Sequence, residues 1–155
     1  MSRDQPRARR VYAWEDRVVA PLDRSLVPFA RMQALVDYVW AEAGLRWPPR
    51  VHRKRPSKRI MATGSRLAIE APAELPSWVL LHEIAHAMTV DHDGAGDGHG
   101  PAFMGVYVGL LVRHARLDQA HLAATLAAAG IPWDPAARPV FLDPTPAAGA
   151  APKNG

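Results

Sequence analysis

The sequence predicts an α+β fold in which a small, mainly antiparallel sheet packs on one apolar helix, with additional helices before and after it. Three observations carry this prediction. Apolar residues recur at spacings of three and four in several segments, as in helices that are buried on one face. Three short extended segments lie together between residues 50 and 70, and residues 78–88 are apolar on nearly all sides. A helix of that kind belongs in the core, where a sheet can cover it.

With 155 residues, the chain is long enough for one domain with a buried core. We predict a flexible basic arm over residues 1–10, a single domain over residues 11–142, and a disordered tail rich in Pro and Ala over residues 143–155. The arm is polar and leads into no apolar segment, so a secretory signal is not expected.

Five helices are predicted within the domain from their apolar spacing and from residues that start or stop helices. They cover about residues 11–19, 28–43, 77–88, 101–115 and 118–129. Ser77 and Asp118 are candidate N-caps, and Pro101 suits a first helical turn. Gly44 is a C-terminal stop for the second helix, and the first helix should end before Pro21.

The extended segments cover about residues 50–55, 59–63 and 66–70. Gly64-Ser65, between the last two, has the composition of a two-residue hairpin turn. We expect the edge strand of this hairpin to lie beside the apolar helix, where it can bind an extended peptide as an added strand.

Composition excludes several kinds of site. The chain has no cysteine, so disulfides and cysteine-based zinc sites are excluded, and any metal must use histidine and carboxylate ligands. The longest uncharged apolar stretch, Phe103 to Val112, is far shorter than the ~20 residues that a membrane span needs. We therefore expect a cytoplasmic protein without a membrane partner.

Basic residues are concentrated in one part of the chain, although the formal net charge is only +4. Residues 43–69 contain eight Arg or Lys residues and no Asp or Glu. Because such a cluster supplies affinity for phosphates, the segment 46–59 is a candidate for DNA contact. The candidate residues are Arg50, Arg53, Lys54, Arg55, Lys58 and Arg59. The alternative is a solvated edge strand whose charges prevent edge pairing, and only Trp47 could stack on a base.

The apolar helix contains the sequence His-Glu-Ile-Ala-His at residues 82–86. His82 and His86 are four residues apart, so they project from one face of the helix and can share a metal ion. Glu83 can then take a proton from water without binding the metal, as a general base does. The alternative is a buried helix with two hydrogen-bonded histidines and an ion-paired glutamate. Burying three such groups without a metal or partners would cost several kcal/mol, so we prefer the metal site.

No glutamate follows Glu83 in the chain, so a downstream glutamate cannot be the third metal ligand. Two histidines, His92 and His99, remain as candidates for it. His92 lies six residues after His86, a spacing that suits a glycine turn, but Thr89 occupies the turn position. His99 lies just before Gly100-Pro101, where the packing of the next helix would hold it. Turn chemistry therefore favours His99, with His92 as the alternative.

Other polar residues near the motif have two interpretations each. Tyr107 lies two helical turns after His99 and could stabilise an oxyanion, or it could be a core tyrosine. Asp91, Asp93 and Asp97 could orient the imidazole rings, or they could cap turns in a glycine-rich loop.

The segments HEIAHAM, DHDG and HGPAF, within residues 77–107, resemble the SprT-like metallopeptidases. The opening VYAWED is similar to a family described by its HEXXH metallopeptidase motif. This resemblance implies a zincin-like fold and one Zn²⁺ per chain on His82, His86 and His99, with Glu83 as the catalytic base. It also implies a protein substrate and an association with DNA.

The predicted function is therefore that of a zinc metalloendopeptidase acting on a protein or peptide. One alternative is a nucleic-acid-associated zinc module with weak or no peptidase activity. Another is a metal-dependent nuclease or a different hydrolase. Glu83 favours catalysis over a structural role, because a structural tetrahedral site has no use for it.

Overall fold

A computed structural model describes residues 4–55, 62–91 and 94–140. A long first helix, α1, runs over Gln5–Trp14 and continues through a π-helical turn, Glu15–Val19, and a final α-helical turn, Ala20–Leu22. The helices that follow are α2 (Phe29–Glu42), α3 (Ser77–Thr89), α4 (Pro101–His114) and α5 (Gln119–Ala128). The strands are β1 (Leu26–Pro28), β2 (Arg50–Arg53), β3 (Thr63–Gly64), β4 (Ala68–Ala71) and β5 (Glu74–Pro76). The predicted α+β class is confirmed.

The strands form two small sheets. In one, β1 pairs with β5 in antiparallel orientation. In the other, β4 lies between β2 and β3, parallel to β2 and antiparallel to β3. The prediction of a mainly antiparallel sheet was wrong for this second sheet, because its longest pairing is parallel. Ile69 and Ala71 on β4 are buried. A strand with buried side chains is favoured at the centre of a sheet rather than at its edge, which agrees with the position of β4 between β2 and β3.

The first residues of α1 correct the predicted flexible arm. Residues 5–10 are helical, although QPRARR has no apolar stripe that would predict a helix. Tertiary contacts hold them in place. Asp4 accepts a hydrogen bond from the backbone of His99, and the Arg7 guanidinium donates to the Asp97 carbonyl. Further along α1, Trp14 is fully buried and its indole N–H donates to Thr125 on α5.

The core surrounds α3, which packs most extensively on α4. Leu80, Leu81 and Ile84 on α3 are almost completely buried, as are Phe103 and Met104 on α4. Burial of each such side chain contributes about 1.5–3 kcal/mol. Within the described ranges, no helix is both long and apolar enough to cross a membrane.

Local capping predictions had mixed outcomes. Asp118 accepts a hydrogen bond from the His121 amide as the N-cap of α5, and Gly44 follows the last turn of α2, as predicted. The N-cap of α3 is Pro76 rather than Ser77, whose hydroxyl contacts the Ser25 side chain instead.

The predicted turn between the last two strands is displaced along the chain. The Ser65 amide donates to the Ala68 carbonyl, so Arg66-Leu67 forms the tip of the hairpin. Gly64 belongs to β3, where a Cβ would collide with the carbonyl oxygen of Glu83. A glycine is required there because the strand approaches the backbone of α3 directly.

Candidate metal centre

Three histidines converge at the centre of the fold. His82 and His86 lie one turn apart on α3, and His99 lies just before α4. The Nε2 atom of His99 is 3.2 Å from Nε2 of His86 and 3.3 Å from Nε2 of His82. His82 and His99 are buried, and His86 is partly exposed. The cluster could hold a metal ion.

The ring of His82 is oriented by Glu15, the first residue of the π-helical turn in α1. Nδ1 of His82 lies 2.5 Å from Oε2 of Glu15. The same oxygen accepts a hydrogen bond from the Tyr107 hydroxyl at 2.6 Å. These side chains are almost completely buried. Glu15 is thus held from two sides and fixes the orientation of the imidazole.

The ring of His99 is oriented by Asp4 through two contacts. Oδ2 of Asp4 lies 2.7 Å from Nδ1 of the ring, and Oδ1 accepts from the backbone N–H of the same histidine at 2.7 Å. Gly98 precedes His99 with φ +64°, and a Cβ there would lie 2.6 Å from the Asp4 carboxylate. The approach of Asp4 therefore depends on a glycine at position 98.

The two carboxylates also determine where the ring protons lie. Because Asp4 and Glu15 accept from Nδ1, the neutral rings of His99 and His82 each carry a proton on Nδ1 and a lone pair on Nε2. In these tautomers the two Nε2 lone pairs, on atoms 3.3 Å apart, are both available to a metal ion. The donor set therefore fits a metal ion bound by imidazole nitrogens, whose second ring nitrogen usually donates to a carboxylate.

Aromatic rings close the inner side of the cluster. Phe103 on α4 is fully buried, and its ring centroid lies 4.3–5.1 Å from the centroids of all three histidine rings. Tyr107, one turn further along α4, packs edge-on against His82 with the centroids 5.1 Å apart. These contacts restrict rotation of the imidazoles, because side chains in a protein core are closely packed.

Burial and the carboxylates shift the pKa values of the histidines. Burial, followed by repulsion from His82 and His99, lowers the pKa of His86 to about 2. Burial also lowers the pKa of His99, although the hydrogen bond to Asp4 opposes it. Burial also lowers the pKa of His82, but the negative charge of Glu15 and its hydrogen bond outweigh this effect. The pKa of His82 is therefore raised. His86 and His99 are thus kept neutral, the state in which imidazole binds a metal.

Glu83 follows His82 on α3 and is also buried, with 7% of its surface exposed. Burial raises the pKa of Glu83 to about 7, with His82 opposing the shift and Glu15 adding to it. Its carboxylate has no hydrogen-bond partner within the described part of the chain. Among the described residues, Glu83 is therefore an acid without a hydrogen-bond partner, next to the histidine cluster.

Of the two interpretations of Tyr107, the structure favours the core tyrosine. Its hydroxyl is completely buried and donates to Glu15. Burial, followed by the negative charge of Glu15, raises the pKa of Tyr107 well above its usual value. A hydroxyl in this position orients Glu15, and its burial disfavours contact with a substrate oxyanion.

The acidic residues of the glycine-rich loop cap turns. Asp97 accepts from the amides of Ala102 and Phe103 at the start of α4, and Asp91 accepts from the Ala95 amide. His92 and Asp93 lie outside the described residues.

The basic candidates lie on β2 and just after it, rather than on the helices that carry the histidines. Arg50 and Arg55 are exposed, whereas Lys54 is half-buried. The guanidinium of Arg53 lies 5.6 Å from the ring centroid of Phe29. Lys58 and Arg59 are outside the described residues.

Three residues near the histidines were not predicted from the sequence: Asp4, Glu15 and Tyr12, whose ring contacts those of His82 and His99. They are separated from their histidine partners by 67 to 95 residues, so no local spacing connects them. The one available signal was VYAWED, where a tyrosine and a glutamate stand three residues apart on one helical face.

A function can be inferred from six side chains of the site: the three histidines, Glu83 and the two carboxylates that orient the rings. Comparisons of the chain with protein-family models, with curated proteins and with solved structures find no match.

Proposed function

We propose that the protein is a zinc metallopeptidase of zincin-like fold that hydrolyses peptide bonds in a protein or peptide substrate. The observation that carries this proposal is the convergence of His82, His86 and His99 next to Glu83. Catalytic zinc sites have three protein ligands and one open position, whereas structural sites have four protein ligands. An unpaired acid beside such a centre suits a hydrolase better than a structural site.

Zinc suits the three ring nitrogens in type and in spacing. Imidazole nitrogens bind zinc at about 2.0–2.1 Å, so two ligands of a tetrahedral ion lie about 3.3–3.4 Å apart. Nε2 of His99 lies 3.2 Å from Nε2 of His86 and 3.3 Å from Nε2 of His82. Because the ligand atoms of all three residues lie within 4.8 Å of one another, His82, His86 and His99 would hold one zinc ion.

Glu83 is the proposed general base. When bound, zinc supplies Lewis acidity that polarises a carbonyl group and acidifies water. Glu83 accepts the proton that water loses and later delivers it to the leaving amine nitrogen. Burial already brings the pKa of Glu83 to about 7, and the positive charge of a metal would favour its ionised form at neutral pH.

The position of β3 supports binding of an extended peptide. β3 is an edge of the described three-stranded sheet, because β4 is bonded to β2 on its other side. β3 also lies against the backbone of α3 at Glu83, through the contact of Gly64. A substrate added as a strand beside β3 would pass close to Glu83 with its backbone held by hydrogen bonds.

The proposal is tested with purified wild type and Glu83→Gln, both loaded with zinc and incubated with denatured casein. We expect one zinc per chain in both proteins and cleavage by wild type alone. Gln has nearly the same shape as Glu but cannot accept the proton, so the loss should be about 10²–10⁴-fold. Equal cleavage by both proteins, or a wild type that retains no zinc, would overturn the proposal.

A second candidate, a nucleic-acid-associated zinc module, is favoured by one observation on the basic segment. Trp47 is 64% exposed with φ 57°, and the Arg46 guanidinium lies 5.5 Å from its ring centroid. An exposed indole beside arginines can stack on a base. Salt-dependent binding of a single-stranded oligonucleotide that is lost in Trp47→Ala, together with an inert zinc-loaded wild type, would favour this candidate.

A further inference from the structure

Tyr12 stands at the solvent side of the metal centre. Its ring stacks on His82 with the centroids 6.1 Å apart, and it meets His99 edge-on at 5.3 Å. Tyr12 is 48% exposed. Among the described aromatic residues that contact the histidine cluster, it is the exposed one, since Phe103 and Tyr107 are fully buried. A substrate that approaches the histidines from solvent can therefore contact Tyr12.

The position of Tyr12 is fixed by the residues on either side of it along α1. Asp4 is bonded to His99 near the start of the helix, and Glu15 is bonded to His82 one turn after Tyr12. Because α1 is attached to two of the histidines, it cannot rotate about its axis without breaking one attachment. The tyrosine between these attachments is thus held against the same two rings.

The hydroxyl of Tyr12 is available, whereas that of Tyr107 is not. Within the described ranges, the Tyr12 hydroxyl has no hydrogen-bond partner. The Tyr107 hydroxyl donates to Glu15 at 2.6 Å and has no access to solvent. A phenol that is uncharged at neutral pH has one O–H to donate, and a donor without an internal partner can donate to a ligand.

We propose that Tyr12 is a catalytic residue that donates a hydrogen bond to the substrate oxygen on which negative charge develops. This inference rests on the proposed peptidase function. The oxygen of water bonds to the peptide carbonyl carbon, its proton passes to Glu83, and the π electrons move to the carbonyl oxygen. When the carbon–nitrogen bond breaks, that electron pair restores the carbonyl and the nitrogen receives the proton from Glu83. Tyr12 keeps its proton throughout and stabilises the charged oxygen.

The test compares zinc-loaded wild type with Tyr12→Phe, and it uses Tyr38→Phe as a matched control. Tyr38 is 58% exposed on α2 and packs on His114, away from the histidine cluster. In Tyr12→Phe we expect kcat on a casein-derived peptide to fall about 10²–10³-fold, with KM and zinc content unchanged. Tyr38→Phe should behave like wild type.

A second measurement does not depend on turnover. Methylphosphonate, a tetrahedral anion, is titrated calorimetrically into each zinc-loaded protein, with acetate as a planar comparison. We expect Tyr12→Phe to bind methylphosphonate at least about tenfold more weakly, as for the loss of a hydrogen bond to a charged group. Unchanged methylphosphonate affinity, or no detectable binding to wild type, would overturn the role of Tyr12. If wild type cleaves no peptide, the peptidase proposal fails, while the methylphosphonate comparison still decides whether Tyr12 serves an oxyanion.

Discussion

Glu15 and His82 are 67 residues apart in the sequence, and Oε2 of the carboxylate lies 2.5 Å from Nδ1 of the imidazole. Asp4 and His99 form the same kind of pair at 2.7 Å across 95 residues. Both carboxylates come from α1, so one helix orients two of the three histidines. The candidate metal centre is therefore built by α1 as well as by the helix that carries the HExxH motif.

Glu15→Gln should weaken zinc binding by about 10–100-fold, because the carboxylate that orients His82 and increases its basicity is replaced by a neutral amide. Competition with a chromophoric chelator measures the affinity. Asp16→Asn is the matched control, since it removes an exposed carboxylate from the adjacent position. Equal zinc affinity of Glu15→Gln and the control would show that the carboxylate has no effect on the metal.

Gly98→Ala should weaken zinc binding, whereas Gly94→Ala should not. Both glycines have positive φ, at +64° and +82°, so both alanines carry a similar backbone strain of about 1 kcal/mol. Only the Cβ at position 98 meets the Asp4 carboxylate, while nothing lies within 4 Å of a Cβ at position 94. The same chelator competition distinguishes the two. Equal losses in both variants would mean that strain, and not displacement of Asp4, determines the effect.

Gly64→Ala should destabilise the fold by about 1–3 kcal/mol, because the added methyl group collides with the Glu83 carbonyl and pushes β3 away from α3. Gly109→Ala on α4 is the control. A Cβ there has nothing within 4 Å, and alanine favours a helix by up to about 1 kcal/mol. Urea unfolding of both variants gives the free energies. A stability of Gly64→Ala equal to that of wild type would contradict the close contact of β3 with α3.

His99→Ala should lose bound zinc after mild dialysis, and His92→Ala should retain about one ion per chain. The reason is that His99 completes the cluster with His82 and His86. Elemental analysis of the dialysed proteins measures the metal. If His99→Ala retained zinc and His92→Ala lost it, the third ligand would be His92 in the loop instead of His99.

Zinc removal should lower the unfolding temperature of wild type, since a ligand that binds only the folded state stabilises it by about 4 kcal/mol at a free concentration 1,000 times Kd. Thermal unfolding with and without a chelator measures the effect. His86→Ala, which lacks one ligand, should unfold at a temperature that the chelator changes far less. A chelator effect of the same size in both proteins would indicate that the stabilising metal lies elsewhere.

Local periodicity was sufficient for most of the helices. α2 and α4 begin and end within about two residues of their predicted bounds, because apolar spacing, Pro101 and Gly44 act over a few residues. The start of α1 and the parallel pairing of β2 with β4 could not be predicted in this way. The start of α1 was missed because QPRARR has no apolar stripe. The pairing of β2 with β4 was missed because the partner of a strand depends on how the strands pack on the core, and not on local sequence.

The sequence by itself determined the pair His82 and His86 with Glu83 between them, because a helix of 3.6 residues per turn places positions four apart on one face. Only the tertiary structure decided that His99 joins this pair, that Glu15 and Asp4 orient the rings, and that Tyr12 rather than Tyr107 faces solvent. These relationships depend on packing between segments distant in the chain, and such packing leaves no periodic pattern in the sequence.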